Sequence, residues 1–139
     1  MASIREINEN DDIFVGVTLP FKYGTTGHFN QSKTIKEQAF SNLKNLVLTG
    51  KGERVGQPTF GCDVYRIIFE PITETTADSI EEAVRDAVAT WLPYIILNNV
   101  FVSFDNQDNN KILLSMEYSV NVEDPDSIET ITFNFNVGM

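Results

Sequence analysis

Six apolar residues in strict alternation, Ile112, Leu114, Met116, Tyr118, Val120 and Val122, are opposed by Ser115, Glu117, Ser119 and Asn121. A period of two puts the two sets on opposite faces of an extended chain, so this segment reads as a strand with one face buried and one in water. Such a strand needs neighbours, and the sequence supplies two. Val100, Val102 and Phe104 alternate with Phe101, Ser103 and Asp105 ahead of the turn-forming run NQDNN, residues 106–110. Beyond the breaking run EDPDS, residues 123–127, Ile131, Phe133, Phe135 and Val137 alternate with Thr130, Thr132, Asn134 and Asn136. The pattern predicts a three-stranded antiparallel meander with one apolar face to be covered.

Two helices are expected to cover it. From Thr34 to Leu48 the residues Ile35, Ala39, Leu43, Leu46 and Val47 fall on one helical stripe. Thr34 and Glu37 have the spacing of a capping box, and Gly50 is placed to supply a left-handed stop. In the second helix Ile80, Val84, Ala87, Val88 and Trp91 share a face, with Thr75 or Thr76 as cap and Asp78, Glu81 and Glu82 near the positive end. Glu81 and Arg85 have ion-pair spacing, and Pro93 ends the element. Before these, Ile13 to Phe21 reads as a short extended segment weakened by Gly16 and Pro20, and Lys22 to Asn30 reads as loop. The whole is an α+β chain. With 139 residues and no internal repeat or evident linker, residues 1–139 are expected to form a single domain, 1–30 being its irregular N-terminal segment.

Composition narrows the function. Twenty acidic residues against ten Lys and Arg leave a net charge of −10, which argues against a phosphate-tracking nucleic-acid surface. Plain acidic solubility and a partner with a basic face are both compatible with it. No apolar run approaches the length of a membrane span, and MASIREINENDD lacks a signal-peptide core. Lone Cys62 excludes an internal disulfide, and one Cys with one His leaves too few of the usual ligands for zinc.

The chemically suggestive stretch is KGERVGQPTFGCD, Lys51 to Asp63. As a phosphate loop it fails twice: the spacing of Gly50, Gly52 and Gly56 does not match the dinucleotide fingerprint, and it follows a helix rather than a strand. As a catalytic loop it offers Glu53 and Asp63, with Glu70 beyond, but among twenty acids some pair always looks suitable. His28 and Cys62 carry no recognisable nucleophile–base signature. As a docking loop it has glycines for unusual backbone angles, Pro58 for rigidity, Phe60 as an anchor, and Glu53, Arg54 and Gln57 as polar heads. Composition by itself favours an ordinary connection.

A second candidate surface is the last strand, whose outer residues Thr130, Thr132, Asn134 and Asn136 lack the lysines and prolines that discourage edge pairing. Either the N-terminal segment or a loop covers this edge, or it accepts a partner's strand. Pattern alone leaves both open.

KGERVGQPTFGCDVYRIIFEPIT, Lys51 to Thr73, resembles the signature of the small baseplate wedge proteins of contractile-tailed phages. That family is shared with type VI secretion systems and related contractile injection machines. The matching positions are Gly52, Glu53, Arg54, Pro58, Phe60, Gly61, Phe69 and Glu70, and the similarity runs through residues 33–137. The resemblance implies a non-enzymatic, cofactor-free and metal-free subunit of the virion tail baseplate, assembled in the host cytoplasm. It implies docking to other wedge proteins through Gly52, Glu53, Arg54, Gln57, Pro58, Phe60 and Gly61, helped by Pro93 and Tyr94. It also implies sheath initiation, with the C-terminal sheet receiving strands of the tail sheath protein along Thr130, Thr132, Asn134 and Asn136. Tail tube or hub proteins are further partners in that setting; nucleic acid and membrane are not. One departure stands out: where many relatives carry Glu-Pro-Arg, this chain reads Leu92, Pro93, Tyr94, so the contact is expected to be more apolar, with Tyr94 or Trp91 as anchor and Trp91 better read as core. Two rivals stay open, a lysozyme-like peptidoglycan hydrolase, since members have carried that label, and a regulatory adaptor of the same fold.

Overall fold

The computed structural model describes residues 14–24, 29–105, 111–120 and 126–136. In chain order the elements are β1 (Gly16–Val17), β2 (Gln31–Ser32), α1 (Ile35–Leu48), α2 (Val64–Ile68), α3 (Thr76–Trp91), β3 (Ile95–Phe104), β4 (Lys111–Val120) and β5 (Glu129–Asn136). β3, β4 and β5 form an antiparallel sheet in that order, and β1 and β2 a separate two-residue ribbon.

The alternation does what it predicts in β4. Ile112, Leu114, Met116, Tyr118 and Val120 are all buried; Leu114 sits between Val102 and Phe133, and Met116 between Val100 and Ile131. Ser119 departs from the pattern: on the outward set and paired with Ile96, it is nevertheless buried. Val122 and Val137 lie outside the described residues. β3 begins at Ile95, well before its readable alternation, because the register slips between Leu97 and Asn99. That bulge switches parity: Ile95 and Leu97 pair with Val120 and Tyr118 on the core side, as do Val100 and Val102 with Met116 and Leu114 on the other side of the slip. A strict period of two could not continue through it.

Both long helices bury the expected stripes. In α1 these are Ala39, Leu43, Leu46 and Val47; in α3, Ile80, Val84, Ala87 and Val88. α3 packs on β3, and α1 and α2 pack on α3, so sheet and helices share one core. Half of the predicted capping box forms as drawn, with Thr34 Oγ1 accepting from the Glu37 N–H at 3.3 Å. The reciprocal half shifts by one residue, since Glu37 Oε2 accepts from the Lys33 N–H at 3.0 Å. Gly50 is not the left-handed stop: only Gly52 and Gly61 among the described residues have positive φ. α1 instead ends through an extended Thr49, whose hydroxyl donates back to the Asn45 carbonyl at 2.6 Å. At the start of α3 Thr75 is the cap without a capping side-chain bond, while Thr76 Oγ1 reaches back to accept from the Thr73 N–H. Arg85 and Glu81 pair at 2.8 Å, and the helix closes at Trp91 ahead of Pro93, as expected.

The described residues ahead of α1, 14–24 and 29–34, form an arm lying on that helix. Val15 N–H donates to the Ser32 carbonyl at 2.8 Å, Leu19 N–H to Ser41 Oγ at 3.2 Å, and buried Ser32 donates to Gln38 Oε1 at 2.5 Å. The arm touches the helix and does not extend the main sheet. No described helix is long and apolar enough to cross a membrane.

Candidate functional site: the glycine-rich loop and the β5 edge

The loop between α1 and α2 is ordered from its neck outward. At the neck the Cys62 N–H donates to the Thr49 carbonyl at 2.9 Å, and Lys51 Nζ meets Asp63 Oδ2 at 2.9 Å, tying the two ends together. Arg66 approaches the same carboxylate oxygen at 3.8 Å. Gly61 is required here: its φ is +131°, and a Cβ at that position would lie 2.6 Å from the Thr49 carbonyl oxygen. Inside the neck, Gly52, at φ +91°, donates to the Pro58 carbonyl at 2.8 Å, and Gln57 and Phe60 donate to the carbonyls of Arg54 and Gln57. Turn bonds of this kind satisfy backbone groups locally and so fix the loop without burying it.

Its side chains are arranged in a stack. The Arg54 guanidinium lies 3.9 Å over the Phe60 ring, and Phe60 meets Trp91 edge-on with centroids 5.2 Å apart. The cation is thereby held on an aromatic face, and through Trp91 the loop reaches the end of α3, where Pro93 is exposed. Trp91 is half-buried: it packs against the core and also carries the loop. Tyr94 is half-buried and already engaged, its hydroxyl accepting from Asn42 Nδ2 at 2.8 Å. Glu53, Arg54, Gln57 and Pro58 are all exposed. The structure thus brings Arg54 and Phe60 together with Trp91 at the α3 end. It sets Tyr94 against α1 by its polar tip.

Two exposed apolar residues were not singled out as contacts from sequence. Val55, at the tip, is 99% exposed, and Phe69, just past α2, is 74% exposed. Singly exposed apolar side chains are ordinary on a protein surface, and only a contiguous patch marks a contact, so exposure by itself assigns neither residue a role. Sequence offers little warning, since Val and Phe read by default as core.

The other candidate surface is β5. Ile131, Phe133 and Phe135 point into the core, while Thr130, Thr132, Asn134 and Asn136 are exposed, as the alternation requires. Among the described residues β5 pairs with β4 alone. Ser115 and Thr132 hydroxyls lie 3.2 Å apart across the two strands.

The residues that suggested chemistry are brought together only in part. Asp63 is tied to two cations, Glu53 lies against Gly50, and Glu70 lines a shallow groove with Asp63, Arg66 and Glu82. Cys62 is buried, and that burial pushes the pKa of its thiol up, holding it protonated. His28 lies outside the described residues. Among the described residues no three of His, Cys, Asp and Glu converge as a metal site would need.

Comparison with known proteins supplies what geometry alone does not. The sequence profile of the baseplate wedge protein gp25 family matches residues 34–125. Over 93 residues the chain is 33% identical to baseplate wedge protein gp25 of Enterobacteria phage T4, an alignment spanning 66% of this chain and 67% of that one. A structure from Geobacter sulfurreducens that carries a tail lysozyme label is 27% identical, with TM-score 0.68, covering 76% of this chain and 94% of the other. A chain of the type VI secretion system baseplate complex superposes with TM-score 0.60 at 15% identity, covering 73% of this chain and 93% of that one. In the anti-feeding prophage baseplate, a chain reaches TM-score 0.58 at 15% identity, over 88% and 85% of the two. At 15% identity the likeness is one of fold.

Proposed function

The chain belongs to the baseplate wedge protein gp25 family, and on that footing we propose that it is a structural wedge subunit of a contractile tail that docks to other wedge proteins and starts the sheath. The docking surface is the loop, with Arg54 held over Phe60 and Trp91 behind it. Sheath strands add to β5.

The observation that carries the second half is the edge itself. β5 is eight residues long, pairs on one side among the described residues, and shows only uncharged Thr and Asn between Glu129 and its end. Backbone groups along such an edge bind an added strand, and alternate side chains select it. Pairing of this kind also spreads a pulling load over several hydrogen bonds in parallel.

Thr132→Pro and Asn134→Pro test it, because proline removes an N–H and props a ring against an incoming strand. Baseplates bearing either variant should form but carry no sheath when imaged by electron microscopy, with circular dichroism showing that the fold survives. Normal sheath growth would exclude β5 as the receiving edge.

The tail lysozyme label of one structural relative favours a second reading, hydrolysis of peptidoglycan. That Asp63 is tied to Lys51 and Arg66, while Glu53 lies apart against Gly50, supports the structural reading instead. Release of soluble fragments from peptidoglycan by purified protein, abolished by Glu53→Gln or Glu70→Gln, would reverse that judgement.

A further inference from the structure

The arm on α1 inverts the usual placement of side chains. Its polar groups are turned inward, to Ser41 and Gln38, whereas Phe14, Phe21, Tyr23 and Phe29 are all exposed, Tyr23 by 88%. None of the four belongs to the core. Phe21 and Phe29 pair with each other, ring centroids 5.6 Å apart, at the surface. An arm that needed its aromatics for its own stability would bury them; here polar bonds hold the arm and the rings are left to face outward.

Charge sets the same region apart. Residues 14–36 contain three lysines and no carboxylate, in a chain whose net charge is −10. Lys36 is occupied with Ser127; Lys22 stands between Phe21 and Tyr23 in the chain, and Lys33 lies farther along, its N–H held by the Glu37 carboxylate just past this stretch. Most of the arm lies ahead of the segment that the family profile matches, residues 34–125.

Resting on the baseplate reading, we propose that the arm is a docking surface for a carboxylate-rich segment of another baseplate protein, apolar anchors of that segment packing among Phe14, Phe21, Tyr23 and Phe29 while its acids meet Lys22 and Lys33. Complementary charge steers such an encounter, and the aromatics provide the area that holds it. Three lysines on an acidic body are a poor match for a nucleic acid or an anionic membrane, which leaves protein as the partner class.

The test places p-benzoylphenylalanine at Tyr23 in the full chain, assembles tail particles, irradiates them and maps adducts by mass spectrometry. Adducts on a peptide of another tail protein with an excess of Asp and Glu are expected. Adducts on a second copy, on a neutral or basic segment, or on the chain's own residues 1–13, which include Glu6, Glu9, Asp11 and Asp12, would overturn the proposal. So would incorporation with no protein adduct. Absence of the wild-type chain from the particles would instead remove the baseplate reading itself. Independently of crosslinking, Lys22→Glu with Lys33→Glu should cut incorporation about tenfold while the corresponding Arg pair retains it; equal incorporation of both folded pairs would also overturn it.

Discussion

Residues 51–59 are exposed without exception and keep their shape through turn hydrogen bonds and one aromatic stack, whereas β4 holds its place by turning five large side chains into the core. The loop therefore presents side chains on a locally determined backbone, and the sheet presents backbone on a globally determined core. Damage should accordingly show in different ways. Changes in the sheet should appear first as lost stability, and changes at the loop tip first as lost assembly.

The largest expected effect concerns Tyr118, which burial, with help from the Glu129 carboxylate, moves from 10.0 up to about 12. Above pH 10 the unfolded chain loses this proton while the folded chain keeps it, so stability falls as pH rises from about 10 to about 12, by about 2–3 kcal/mol in all. Chemical denaturation across that range should show the loss, and Tyr118→Phe should remove it. A loss of the same size in Tyr118→Phe would trace it to another group and break the assignment of alkaline sensitivity to the sheet.

Within the loop, the neck and tip should separate. Gly61→Ala forces a side chain into positive φ and against the Thr49 carbonyl, and should cost about 1–3 kcal/mol. Gly56 has open space around it and no positive φ, so Gly56→Ala should be neutral or stabilise by a few tenths of a kcal/mol. Equal effects in thermal unfolding would mean that the neck is not what orders the loop. A small stability change is likewise expected for Arg54→Ala, below about 1 kcal/mol, since an exposed cation–π contact contributes no more than that. Incorporation of that variant into wedges should nevertheless fall clearly; unchanged assembly would reduce the loop to a connection.

Much of the fold was legible because it follows from periodicity. The alternation at Ile112 to Val120 and the stripes of α1 and α3 record burial directly, one residue at a time. What failed to show was set by tertiary closure. The bulge between Leu97 and Asn99 breaks the period that would have revealed the start of β3. Which glycine takes positive φ depends on Thr49 folding back over Gly61, whereas the place just past α1 points to Gly50. The candidate site was legible in place but not in construction: the resemblance marked Arg54 and Phe60, yet their joining to Trp91 comes from how α3 crosses the loop. The arm was the least legible, since whether Phe21 and Tyr23 lie inside or outside is decided by what packs over them.

The closed neck has an evolutionary corollary. Once Thr49, Cys62, Lys51 and Asp63 have sealed the base of the loop, the core cannot tell which residues occupy the tip. Positions such as Val55 and Gly56, exposed or uncrowded, should therefore accept exchange without any rebuilding of the subunit beneath them.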